Sequence, residues 1–148
     1  MSDCLLNSVC SFCGKTETIT LYESEQKGQL IWGATYNCPH CLNIQEVDGF
    51  GIPPDYIRDY LIEKFGLWQV ILKPHYSKKE VVSTLMKGLN LDFKLCLDSI
   101  KNTPIFVGTE FEATWLSKKL GGNNAKVEAS CNVNYKKYSF IFSNYSRS

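Results

Sequence analysis

Histidine is scarce in this chain: His40 and His75 are the only two in 148 residues. That scarcity removes most routes to a nucleophile–base pair, and no Ser/His/Asp grouping stands in a recognisable context. A phosphate-binding glycine loop is absent too, as are paired carboxylates in an evident pocket. The chain is therefore not expected to be an enzyme. Long apolar runs are also missing. The longest, Leu67–Leu72, is broken by Gln69 and falls far short of the roughly 20 residues a membrane helix needs. Residues 1–10 lack the basic start and apolar stretch of a secretory signal. The expectation is a cytoplasmic protein with no membrane partner.

Net charge is nearly absent as well, at +1, but this hides a division along the chain. Residues 1–66 hold four Lys/Arg against nine Asp/Glu, and residues 67–148 hold twelve against six. Hydrophobic residues form 44 % of the chain, enough for a packed core. The charge division, with a change of motif at the same place, argues for two modules. We place a metal-binding module at 1–48, a connecting loop and helix at 49–66, and an α+β domain at 67–148.

What the chain has in quantity is cysteine, seven in all. An odd count without a secretion signal argues against a disulfide framework. Four of the seven form two C-x-x-C pairs: Cys10 with Cys13, and Cys38 with Cys41. Each tight turn can aim two sulfurs at one ion, and Gly14 suits the positive φ that such turns favour. Residues 17–22 alternate around Ile19 and Leu21, and residues 29–36 around Leu30, Trp32, Ala34 and Tyr36. With a turn at 25–28, this reads as a β-hairpin that brings the second pair back beside the first. One zinc ion held by Cys10, Cys13, Cys38 and Cys41 is expected. Iron is the competitor, although Leu42 after the second pair suits a rubredoxin-type knuckle poorly. Four thiolates close the shell, so the metal is structural and not catalytic. Cys4, Cys96 and Cys131 have no partner motif, and Cys96 and Cys131 read as core residues.

Pro54 suits the start of a helix bearing Ile57, Tyr60, Leu61 and Phe65, closed by Gly66. Residues 68–73 read as a strand. Ser77 and Glu80 form a capping box for a helix with Val81, Val82, Leu85 and Met86, closed by Gly88. A second helix carries Phe93, Cys96, Leu97 and Ile100. Residues 105–107 form a short strand. Thr109 and Glu112 cap a third helix, with Ala113, Leu116 and Leu120 inward. Ala125, Val127, Ala129, Cys131 and Val133 alternate as a strand. The order is β-α-α-β-α-β. The alternation of Tyr138, Phe140 and Phe142 suggests one more strand, and 143–148 a frayed tail.

Two resemblances follow from these motifs. Cys10, Phe12, Cys13, Gly14 and Lys15 resemble the opening of the zinc-binding domain of the Clp protease unfoldase family, which implies only the zinc assignment. The segments 70–73, 79–82, 88–91, 103–104, 107–109 and 125–128 resemble the C-terminal domain of the bacterial ribosomal stalk protein. That resemblance implies a β-α-α-β-α-β fold, shared with the Clp adaptor family, and a docking surface that includes Lys78 and Lys79. The glycine of the family's Gly-Leu-Gly-Leu segment is Asn90 here, and its factor-binding lysines are not reproduced in register. Its dimerising N-terminal region and hinge are absent, so the chain is not itself a stalk protein.

The function expected is protein–protein interaction by a non-enzymatic zinc protein, an adaptor or an inhibitor of the immunity type. The alternative is a nucleic-acid-binding zinc ribbon, with Lys136 and Lys137 among the aromatics Tyr135, Tyr138, Phe140 and Phe142. The acidic cysteine module weighs against it, because phosphate binding needs clustered Lys/Arg.

Overall fold

A computed structural model of the chain describes residues 2–145, the side chains of 2–4 aside. It is mixed α and β, with two antiparallel sheets. The chain separates into two compact units, one ending at Lys64 and one beginning at Phe65.

The first unit holds strands β1 (Ser2–Val9), β2 (Thr16–Gln26), β3 (Gln29–Asn37) and β4 (Ile44–Phe50), then helix α1 (Asp55–Phe65). The strands lie in sequence order as an antiparallel meander. The expected hairpin is β2 and β3, and its turn is tighter than the sequence suggested. Gln26 pairs with Gln29, leaving only Lys27 (φ 53°) and Gly28 (φ 78°) between the strands. Positive φ at both central residues matches the twist of the flanking strands. Period-two alternation then aims Ile19 and Leu21 of β2 at Trp32 and Ala34 of β3. α1 covers that face with Ile57 and Leu61, while Leu6 and Tyr36 pack at the margin. Gly66 (φ 85°) follows the helix, as expected of a C′ stop. Beyond the sequence reading, the inward row of β2 also includes Glu17 and Glu23, both buried, and Arg58 of α1 is 1 % exposed. Glu23 and Arg58 both engage in polar interactions.

The second unit follows the expected order: β5 (Leu67–Leu72), α2 (Lys78–Leu89), α3 (Phe93–Ile100), β6 (Phe106–Gly108), α4 (Glu110–Leu120) and β7 (Ala125–Ser130). β5 is central, with β6 and β7 antiparallel on either side. Thr109 and Glu112 make a complete capping box, each side chain meeting the other's backbone N–H at 3.1 Å. At α2 only half of the box forms. Ser77 Oγ accepts from Glu80 N, whereas the Glu80 carboxylate accepts from Asn124 Nδ2 at 2.9 Å. Asn124 is buried and also bonds Leu120 O and Ser77 N, so it ties the end of α4 to the start of α2. Gly88 does not close α2, as the sequence suggested. The helix runs on to Leu89 and stops at Asn90, whose φ of 57° is the left-handed conformation that asparagine tolerates.

Three expectations at the end of the chain are corrected. β7 ends at Ser130, so Cys131 is exposed and Val133 is 81 % exposed. Tyr135–Phe142 is a 3-10 helix and not a strand. Its buried residues are Tyr138, Ile141 and Phe142, spaced i, i+3, i+4, and Phe142 meets Phe106 of β6 edge-to-face at 5.3 Å. Ser143 to Tyr145 is tied down rather than frayed, although Ser143 and Asn144 are exposed. Asn144 O accepts from Asn90 Nδ2, and the Tyr145 ring lies 5.6 Å from that of Trp115. The rest of the expected tail, 146–148, lies outside the described residues. Among the described residues, no helix is long and apolar enough to cross a membrane.

Candidate metal centre

The two C-x-x-C turns are built alike. Cys10 N donates to Lys15 O at 2.8 Å and Gly14 N donates to Cys10 O at 2.9 Å. In the second turn Cys38 N donates to Asn43 O at 3.0 Å and Leu42 N donates to Cys38 O at 2.9 Å. The first turn joins β1 to β2 and the second joins β3 to β4, so the sheet carries both to the same end of the first unit. There the four sulfurs lie within 4.8 Å of one another.

Cys10 Sγ is 3.7 Å from Cys41 Sγ, and Cys13 Sγ is 3.5 Å from Cys38 Sγ. A disulfide would need about 2.05 Å. Four sulfurs at about 2.3 Å from a central ion would stand about 3.8 Å apart, close to what is found. Cys10 and Cys38 are buried while Cys13 and Cys41 face outward. Crowding separates the thiols electrostatically. The backbone N–H groups of Cys41 and His40 help draw Cys38 down to about 7. At Cys41 the Asn43 N–H favours the thiolate, but desolvation and the other three sulfurs together outweigh it and push this thiol up to about 12. Thiols that resist ionising together can all be thiolates once a cation sits between them. The cluster can therefore hold one metal ion. His40 is exposed and outside the four-sulfur cluster.

Gly14 and Leu42 occupy equivalent places in the two turns, with φ of 77° and 62°. Glycine adopts this conformation freely, whereas a leucine there costs about 1–2 kcal/mol. Leu42 is also 80 % exposed, so its side chain recovers almost nothing by packing. Leu42→Gly should keep the metal and stabilise the first unit by about 1 kcal/mol, with part of the strain relief offset by glycine's greater freedom when unfolded. Denaturant titration of the metal-loaded protein would check this, and a lower midpoint would contradict it.

A second feature lies in the second unit. Val82 and Met86 of α2 and Phe93 and Leu97 of α3 line a groove of about 620 Å³, together with Lys78, Lys79, Ser83 and Lys87. The sequence assigned these four apolar residues to the helix stripes without separating them from the core. In the structure Val81, Leu85, Leu89 and Cys96 are the buried column. Met86 and Phe93 are 40 % and 51 % exposed. The readable signal was stripe width: two adjacent apolar columns on one helix exceed what a single packing contact uses. Lys136 and Lys137 fall on the 3-10 helix, where Tyr138 and Phe142 are buried, so no exposed row of aromatics accompanies them.

Comparison with family models, with curated proteins and with solved structures returned no match. Fold and site together define an α+β protein with a four-cysteine cluster able to hold one metal ion.

Proposed function

We propose that this chain is a non-enzymatic zinc protein that binds another protein, as an adaptor or inhibitor does, and that its docking surface is the α2–α3 groove. The groove carries the proposal. Its lining is apolar apart from Ser83 and the lysines Lys78, Lys79 and Lys87, which fits an acidic amphipathic segment of a partner. Zinc is the metal proposed because an all-sulfur tetrahedron selects zinc or iron, and zinc needs no redox role. Its four thiolates leave no coordination position for water or substrate, which supports a structural ion. Reduced thiols in this role suit a cytoplasmic setting. The alternative, nucleic-acid binding, loses its strongest support with the burial of Tyr138 and Phe142.

The test uses the zinc-loaded full chain and a fluorescent, acidic, amphipathic helical peptide. Binding is expected, and the double variant Lys78→Glu, Lys79→Glu should weaken it tenfold or more, as about 1.4 kcal/mol of lost complementarity would. Binding equally tight in the variant, or none in either protein, overturns the reading. A gel shift with mixed DNA and RNA at low salt should stay negative, and salt-sensitive retardation would favour the alternative.

A further inference from the structure

The sheet of the first unit has two outer edges, and they are guarded differently. Among the described residues, no strand pairs with the free side of β1 or of β4. Such an edge presents alternate backbone N–H and C=O groups to any strand that reaches it, and proteins usually block it with charge, proline or a bulge. β4 is blocked. Glu46 and Asp48 are exposed on one face of it, opposite Thr35 and Gly33 of β3, and a second β4 would set like charges against each other. β1 has no such protection. Its eight pairs with β2 run from Ser2 to Val9 without a bulge, it contains no proline, lysine or arginine, and Asp3 is its one charge. Leu5 and Val9 stand 65 % and 69 % exposed on its outward face, with exposed Asn7 between them.

We propose that β1 is an assembly edge and that its occupant is β1 of a second copy. Antiparallel pairing about a two-fold axis at Asn7 sets Leu5 opposite Val9 of the second copy on one face of a sheet continuous across both chains. The pairing is self-complementary because the same uncharged, alternating segment, residues 5–9, serves as template and occupant. The acids of β4 at the far edges then stop further growth, so the product is a closed dimer and not a filament.

Sedimentation of the zinc-loaded full chain from about 1 to 100 µM should show the mass doubling with concentration. Hydrogen exchange in peptides covering residues 5–9 should slow over the same range. Leu5→Lys changes an exposed side chain and should leave the thermal transition in place, yet weaken dimerisation at least tenfold by setting a charge against Val9 of the second copy. A monomer at every concentration overturns the proposal. So does a dimer whose β1 exchange ignores concentration, or one that Leu5→Lys leaves intact.

Discussion

Replacing Cys10 with serine should abolish metal binding and melt the first unit, while the second unit keeps its fold. The size of the effect follows from how little else holds that unit together. Its core cluster is Ile19, Leu21, Trp32, Ala34, Ile57 and Leu61, and β4 is exposed along nearly its whole length. A unit of this size buries only about 60 % of the surface its unfolded chain exposes. A structural zinc contributes about 10–16 kcal/mol in apparent terms, comparable to the whole stability of a typical domain at about 5–15 kcal/mol. Serine offers no thiolate, and Cys10 is 2 % exposed, so its loss opens the inner side of the cluster. Elemental analysis should find about one zinc per chain in the parent and almost none in the variant. Hydrogen exchange should become fast in β2 and β3 and stay slow in β5 and α4. Cys131→Ser, at an exposed thiol outside the cluster, is the control and should change neither quantity. If Cys10→Ser retained its metal and its slow exchange, the four-sulfur centre would be wrong.

That site was legible in the sequence because its chemistry is local. Two sulfurs three residues apart need only a tight turn, and the alternation of Ile19, Leu21, Trp32 and Ala34 supplied the strands that bring the turns together. The helices of the second unit were legible for a similar reason, since caps such as Thr109 with Glu112 act within one turn. β4 was not legible. All but one of its residues are exposed, so no apolar alternation marks Ile44–Phe50, and only backbone pairing with β3 makes it a strand. The groove was hidden by the opposite problem, because Val82, Met86, Phe93 and Leu97 are as apolar as the core residues beside them. The extra width of the apolar stripe marks a second contact, but only tertiary packing shows which column forms the groove. Asn124 was missed because a buried asparagine leaves no periodic trace. Its role exists only once the end of α4 and the start of α2 meet.

Phe142→Ala should destabilise the second unit by about 3–5 kcal/mol, the range for emptying a buried phenylalanine site. The alternation of Tyr138, Phe140 and Phe142 suggested a strand here, and the helical spacing of Tyr138, Ile141 and Phe142 went unread. Packing decides between them. In the 3-10 helix Ile141 is 0 % exposed and Phe142 6 %, whereas Phe140 is 38 % exposed. Phe142 is the hub of an aromatic group, with ring centroids 5.3 Å from Phe106, 6.0 Å from Trp115 and 5.9 Å from Tyr145. Each such pair adds about 0.5–1.5 kcal/mol to the area buried. Truncation therefore removes three ring contacts and leaves a cavity against β6 and α4. Phe140→Ala removes a ring of the same size from a partly exposed position, and should cost about 1 kcal/mol or less. A strand with Phe140 and Phe142 on one face would make the two losses equal. Chemical denaturation of both variants, followed by hydrogen exchange in β6 and α4, separates the alternatives, and equal losses would count against the 3-10 helix.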